Sequence, residues 1–191
     1  MGISGASVSS DVADVVKVIT SGDTTTTTNV GTVGTGVTAL EQGTGVNHVT
    51  TLTLSGVAYT VGDATTLGVG ALIYTFPAGV IVVDAATVSV GLTLTTGTPT
   101  TDAPELGLGS VIASGVVANL STPATFEDIL TGTAVANVAG TALVATVQTT
   151  LVIPAASAHT VHLNFADAWQ NLTNSAATAA GTVTLKWAFL S

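Results

Sequence analysis

The chain has 191 residues, enough for one sizeable β domain, and 47% of them are hydrophobic while 4% are aromatic and 7% are charged. Disordered chains are rich in charge and poor in Val, Leu and Ile, so this composition excludes a solvated disordered chain. A formal net charge of −9, with two lysines and no arginine, excludes binding to nucleic acid or to an anionic membrane surface, and the lack of cysteine excludes disulfides and thiolate chemistry.

The first 45 residues differ in composition from the rest and are predicted to form an N-terminal arm. The run SSDVADVVKVI predicts one or two helical turns that begin at Ser10 or Asp11. A Thr- and Gly-rich run follows as far as residue 45 and is typical of an extended arm or linker. Two interpretations stay open, a disordered tail and a segment that orders against a neighbouring subunit. The apolar face of the turns, a candidate subunit or capsid contact, consists of Val12, Val15, Val16 and Ile19.

Residues 46–191 show the two-residue periodicity of β-strands and are predicted to form one domain. Leu52 and Leu54 share a face, and after Gly56 the apolar alternation continues one residue out of phase from Val57. Such a shift predicts a bulge or turn at the glycine.

Two strongly apolar runs, ALIYTF and GVIVV, are separated by a Pro-Ala-Gly break. Their near-continuous hydrophobicity predicts strands covered on both sides, joined at a sharp corner because Pro77 has no N–H to donate. The next segment, ATVSVGLTLTT, alternates apolar and polar residues and predicts a half-buried strand. The longest apolar stretch, 69–83, is too short and too interrupted to span a bilayer.

The middle of the chain combines loops with shorter predicted strands. GSVIASGVVANL predicts a strand with a kink at Gly115, and ALVATVQTTLVI predicts one further strand that stops before a proline. TPATFEDILTG predicts a helical turn capped through Thr125 and Asp128. The side chains of this turn that are predicted to pack inward are Phe126, Ile129 and Leu130.

The last two predicted strands carry clear inward faces. TVHLNF places alternate apolar residues on one face, and GTVTLKWAFLS does the same with Trp187 on the inward side. Trp169 lies in the loop between them, where it anchors either the end of the domain or a subunit contact. Many short strands, Gly- and Pro-rich loops and no helix long enough for a parallel crossover predict an all-β fold. The expected architecture is an antiparallel β-sandwich or jelly roll with an extended N-terminal arm.

Side chains that carry chemistry are few. His159 and His162 form an H-x-x-H pair, but such residues point to opposite faces of a strand and would not bind one metal ion. Helix-turn capping explains the adjacent Glu127 and Asp128 more simply than acid–base catalysis does. No nucleophile elbow, phosphate-binding loop or dinucleotide fingerprint is present. We therefore expect no enzyme activity, no cofactor and no metal.

Four stretches carry a resemblance to a known class of proteins: ALIYTFPAGVIVVDAATVSVGLT, ELGLGSVIASGVVANL, ATFEDILTGTAV and the ending VHLNFADAWQ to GTVTLKWAFLS. Together, over residues 50–191, they resemble the structural virion proteins of tailed bacteriophages, and more narrowly the proteins that decorate or cement the capsid surface. The resemblance implies a β-sandwich that binds the major capsid protein lattice, often as a homotrimer at three-fold positions, with no active site. An acidic chain without arginine is also better suited to the outside of a shell than to packaged DNA.

An alternative function is that of a binding module, either a phage head-fibre or tail-associated domain or a bacterial surface adhesin that recognises host glycans. Such a module would use exposed aromatic side chains and loop acids, and the loop at 98–105 has no aromatic residue. A capsid decoration protein is expected to bind assembled capsids and not cells or sugars, whereas the alternative predicts the reverse.

Overall fold

The computed structural model describes residues 14–20, 30–44, 46–61, 67–94, 104–117, 119–134, 142–147, 151–166 and 175–190. These ranges contain twelve strands and one short 3-10 turn (Ala124–Phe126). In chain order the strands are β1 (Asp14–Thr20), β2 (Thr32–Val33), β3 (Val37–Thr44), β4 (Asn47–Val61), β5 (Val69–Thr75), β6 (Ile81–Leu94), β7 (Glu105–Gly109), β8 (Leu130–Ala134), β9 (Ala142–Val147), β10 (Leu151–Ile153), β11 (Thr160–Ala166) and β12 (Ser175–Phe189).

The strands form two antiparallel sheets. Sheet A has the order β1-β3-β4-β12-β6-β10, and β9 pairs with β6 on the same edge as β10. Sheet B has the order β2-β5-β11-β7-β8. The two sheets pack face to face around one shared hydrophobic core, which confirms the predicted antiparallel β-sandwich.

The core is built from the alternating faces that the sequence predicts. Val183, Leu185 and Trp187 of β12 are all buried, and so are the inward residues of β6 and β11. Burying one such aliphatic side chain contributes roughly 1.5–3 kcal/mol. Tyr59 of β4 reaches across to sheet B, where its hydroxyl donates to the carbonyl oxygen of Leu163 at 3.3 Å.

The bulge predicted at Gly56 is confirmed. Val57 pairs with Ala179 of β12 and Ser55 pairs with Ala180, so Gly56 has no partner in the register. Its φ of +73° lies in the left-handed region, where glycine has no Cβ penalty. The extra residue explains why the apolar alternation of β4 changes phase at this position.

The sharp corner predicted at the Pro-Ala-Gly break is also confirmed. β5 lies in sheet B and β6 in sheet A, so the chain crosses between the sheets over residues 76–80. The single strand predicted for ALVATVQTTLVI is instead two strands. β9 pairs with Ala86–Gly91 and β10 with Ile81–Val83, so together they follow one edge of β6.

The helical turns predicted near the N-terminus are wrong for the residues that the structure describes. Asp14–Thr20 forms β1, which pairs with β3 over its whole length, because β-branched valines fit a pleated surface better than a helix. Residues 37–44, which the sequence places in an arm, form β3 and pair with β4. The predicted boundary between residues 45 and 46 therefore falls in the turn of a hairpin within sheet A.

Two local predictions in the middle of the chain also differ from the structure. The segment 110–117 is a loop, with one isolated bridge between Gly115 and Gly68, and not the predicted kinked strand. The predicted helical turn is a 3-10 turn with Pro123 at its N-cap and no side-chain cap, and Asp128 binds Ser110. Phe126, Ile129 and Leu130 are buried as predicted.

The part of the chain that the structure describes has no helix with the length and apolarity needed to cross a membrane.

Candidate functional sites: a buried carboxylate cluster and a pinned loop

A carboxylate is buried in the core where β3, β4, β5 and β12 meet. Glu41 of β3 has 0% of its surface exposed. Four side chains from the other three strands surround it, and all of them are also buried. We call this group the carboxylate cluster; it consists of Glu41, His48, Thr50, Tyr74 and Trp187.

The hydrogen bonds of the cluster connect both sheets. The hydroxyls of Thr50 and Tyr74 donate to Oε2 of Glu41 at 2.6 and 2.9 Å. Trp187 donates its indole Nε1–H to Thr50 Oγ1 at 2.8 Å. Because Tyr74 belongs to sheet B and the other members to sheet A, Glu41 ties the two sheets together.

The imidazole of His48 occupies the remaining side of the carboxylate. Its Nδ1 lies 3.0 Å from Glu41 Oε1, and its ring stacks on the indole of Trp187. The other ring nitrogen, Nε2, is buried and has no hydrogen-bond partner among the described residues. A buried polar atom without a partner is unusual in a native core, so Nε2 of His48 is the position of the cluster that needs an explanation.

Burial dominates the electrostatics of the cluster. It raises the pKa of Glu41 above its ordinary value, against the opposing effects of the Thr50 and Tyr74 hydrogen bonds and the charge of His48. Burial and the neighbouring Glu41 also raise the pKa of Tyr74. Both effects follow from the burial of the cluster, whose five members are at most 1% exposed.

The second feature is a loop that covers the outer face of sheet B, residues 110–117 and 119–128, which we call the pinned loop. Asn164 of β11 is buried beneath it and holds it with three hydrogen bonds. Ala113 N–H donates to Asn164 Oδ1 at 3.0 Å, and Nδ2 donates to the carbonyl oxygens of Val111 and Phe126 at 2.9 and 2.8 Å. A small apolar core that includes Leu120 fills the space beside these bonds.

Glycines in β5 and just before it let the pinned loop approach the sheet closely. A Cβ at Gly70 would lie 2.1 Å from Asn164 Oδ1 and 2.8 Å from Ile112 Cγ1, and one at Gly68 would lie 2.9 Å from Val117 Cβ. The loop also carries apolar side chains that stay partly exposed. Those with substantial exposure are Val111, Ile112 and Val116, with Leu72 on β5 itself.

The acidic side chains around the pinned loop brace the backbone. Glu127 accepts the N–H of Gly132 at 2.6 Å, and Glu105 accepts the N–H of Leu120 at 2.7 Å. Asp128 accepts both the N–H and the hydroxyl of Ser110, at 2.7 and 2.6 Å. These carboxylates therefore act as internal hydrogen-bond acceptors for loop and strand ends.

His159 and His162 are both half-buried and have different surroundings. His159 Nε2 lies 2.7 Å from the carbonyl oxygen of Gly79. Burial lowers the pKa of His162, against hydrogen bonds to the backbone of Gly109 and Ser110. No group of three or more His, Asp or Glu side chains that could hold a metal ion occurs among the described residues.

The candidate contact residues from the sequence fall mostly outside these two features. Val15, Val16 and Ile19 lie in β1 and not in a helical turn, so the helical spacing that grouped them does not apply, and their role as contacts stays a prediction. Val12 and Trp169 lie outside the described residues. Sequence reasoning missed both Glu41, which it placed in the arm, and Asn164, which it treated as a polar-face residue of TVHLNF.

No family model, no curated protein and no solved structure matches this chain.

Proposed function

We propose that this chain is a structural virion protein that decorates the outer surface of a tailed-bacteriophage capsid and stabilises the lattice of the major capsid protein. The resemblance over residues 50–191 suggests the class of protein. The observation that carries the proposal is the pinned loop, which presents aliphatic side chains to solvent on a backbone that Asn164 holds in place.

A held aliphatic surface suits a contact between two proteins. Val116 is 69% exposed and Ile112 is 46% exposed, so both side chains would lose water on binding. Because three hydrogen bonds and a small core fix the loop, little conformational entropy remains to be lost when a partner docks. Such preorganisation supports binding to a regular lattice that presents the same surface many times.

The charge of the chain supports an external position. With a net charge of −9 and no arginine, the chain would repel packaged DNA, whose phosphates carry the same sign. Several of its acidic side chains are used inside the fold, among them Glu105, Glu127 and Asp128. These contacts support a structural role over a catalytic one.

Glycan recognition by an adhesin-like or tail-associated module is the less favoured function. Sugar-binding surfaces use exposed aromatic rings, which stack on the apolar faces of the sugar. In the described part of the chain, every large apolar side chain that is well exposed is aliphatic. The surface chemistry therefore favours a protein partner.

The proposal includes a homotrimer at three-fold positions of the lattice, as the resemblance implies. Light scattering of the recombinant chain over a range of concentrations measures its mass directly. A stable trimer supports this part of the proposal. A monomer that becomes trimeric only on capsids also agrees with it, whereas a monomer on capsids contradicts it.

The test of the proposed function is binding to capsids of the encoding phage from which the protein has been removed. We expect the chain to sediment with these capsids and to raise their resistance to heat. The substitution Val116→Asp should sharply reduce sedimentation while leaving the free energy of unfolding within about 0.5 kcal/mol, because Val116 is 69% exposed.

Val46→Asp is the matched control. Val46 is 48% exposed and lies in the turn between β3 and β4 of sheet A. This variant should bind capsids like the unchanged chain. Equal loss of binding in both variants would indicate a non-specific effect of charge, and binding to host cells or glycans without binding to capsids would support the adhesin alternative.

A further inference from the structure

The negative charge of Glu41 in the carboxylate cluster has to be neutralised inside the core. Glu41 has no exposed surface and His48 has 1%. An unpaired charge inside a protein costs several kcal/mol, so a buried carboxylate must either bind a proton or face a cation. The imidazole of His48 faces Glu41 directly, with Nδ1 3.0 Å from Oε1.

The donors of the cluster fix where hydrogens can be. Trp187 can only donate, so the Thr50 hydroxyl accepts from it and uses its own hydrogen for Glu41 Oε2. Tyr74 donates to the same oxygen. Oε2 is therefore a pure acceptor, and a proton that neutralises the carboxylate has to lie at Oε1, facing His48 Nδ1 across 3.0 Å.

We propose that Glu41 and His48 share one proton between Oε1 and Nδ1 while Nε2 of His48 carries a hydrogen. The buried pair is then net neutral. Its contribution to the packing of the two sheets depends on this shared proton. When the pair loses a proton, the remaining hydrogen stays on Nδ1 and bonds to the carboxylate, and Nε2 becomes bare. The hydrogen bonds from Thr50, Tyr74 and Trp187 stay in place, but the cluster then carries one net negative charge.

Each strand around Glu41 and His48 contributes one of the groups that determine the charge of the pair. β3 contributes Glu41 itself, β4 contributes His48, β5 contributes Tyr74, and β12 contributes Trp187, which does not titrate. The register of β1 pairs Lys17 with Glu41, so a variant without this lysine is a necessary arm of the test.

The raised pKa of Glu41 agrees with this arrangement and gives the sign of its effect on stability. The folded chain keeps the proton at a pH where the unfolded chain has lost it. The contribution of the pair to the free energy of unfolding is therefore complete at pH values below the unfolded pKa of Glu41, and it decreases as the pH rises through the raised value.

The first experiment reads the hydrogen on Nε2 directly. Histidine is labelled with ¹⁵N, and long-range proton–nitrogen correlation spectra are recorded at pH 7.5, with His48→Asn used to assign the signals. We expect Nε2 of His48 to be protonated. A bare Nε2 with the hydrogen on Nδ1 would mean a buried net charge and would overturn the proposal.

The second experiment measures the free energy of unfolding by urea between pH 5 and 9 for the unchanged chain, Glu41→Gln and Lys17→Ala. Gln cannot titrate, so the stability of the unchanged chain relative to E41Q should fall with rising pH, by up to about tenfold in the folding constant per pH unit for one proton. K17A should keep the pH dependence of the unchanged chain. A constant difference between the unchanged chain and E41Q, or a K17A curve that follows E41Q, would overturn the proposal. The spectra of the unchanged chain decide the matter if E41Q does not fold.

Discussion

The imidazole of His48 lies flat against the indole of Trp187, with the ring centroids 4.2 Å apart and the planes 10° from parallel. The two residues are directly paired on neighbouring strands of sheet A, although they lie far apart in the sequence. On the other side of His48, β3 places Gly43 at the paired position. His48 therefore lies on the middle one of three neighbouring strands. The indole of Trp187 is on one side of it, and Gly43, which has no side chain, is on the other.

Gly43→Ala should destabilise the fold by about 1–3 kcal/mol. A Cβ at this position would lie 2.5 Å from the carbonyl oxygen of Asn47 and 2.9 Å from His48 Nδ1. The backbone oxygen cannot move away without disturbing the hairpin, so the strain cannot be relieved by a side-chain rotation. Urea unfolding measures the loss. Gln42→Ala, at an exposed neighbouring position, is the control and should change stability by less than about 0.5 kcal/mol.

Asn164→Ala should cost about 2–4 kcal/mol and loosen the pinned loop. The substitution leaves the N–H of Ala113 and the carbonyl oxygens of Val111 and Phe126 without their partner, and each buried polar group without a partner costs about 1–3 kcal/mol. Urea unfolding and amide hydrogen exchange of residues 110–117 measure the two effects. Ser121→Ala, which removes an exposed hydrogen bond, should have little effect. Unchanged exchange in N164A would show that the loop is held by its apolar core.

Gly56 offers a test of backbone conformation without steric conflict. Nothing lies within 4 Å of a Cβ added there, so the cost of Gly56→Ala arises from φ alone. We expect G56A to lose about 1 kcal/mol of unfolding free energy and Gly56→Asn to lose less, because Asn tolerates the left-handed region. Equal losses in the two variants would mean that the bulge shifts to another residue.

The pH dependence of stability below neutrality should include a contribution from His162. Because burial lowers its pKa from the ordinary value of 6.5, the unfolded chain binds a proton before the folded chain does. The stabilising effect of neutral His162 is therefore complete above about pH 6.5 and is lost as the pH falls towards the folded value. His162→Gln should remove this part of the pH dependence in urea unfolding, and parallel curves for the two proteins would contradict it.

Local pattern was enough to predict several elements. The change of phase after Gly56 predicts the bulge because alternation has to restart when one residue leaves the register. The Pro-Ala-Gly break predicts the crossing between sheets, and the alternation of the last strand places Trp187 in the core. In each case, the information lies within about ten neighbouring residues.

The candidate sites could not be predicted in the same way, since both depend on contacts between distant parts of the chain. Glu41 meets Tyr74 33 residues away, and the Thr50 that binds it meets Trp187 137 residues away. The segment 110–117 is rich in the β-branched residues of strands, yet its backbone bonds to the side chain of Asn164, 51 residues after Ala113. No local signal separates Asn164 from the other polar residues of its strand, Thr160 and His162.

The place of β12 in sheet A has a consequence for synthesis on the ribosome. β12 follows every other described strand in the chain, yet it lies between β4 and β6 and pairs with both over nearly their full lengths. Until β12 has left the exit tunnel, the apolar strands on either side of its position have no partner to join them. Before β12 emerges, nascent chains should therefore expose two unfinished half-sheets, and holding chaperones would protect them until the central strand arrives.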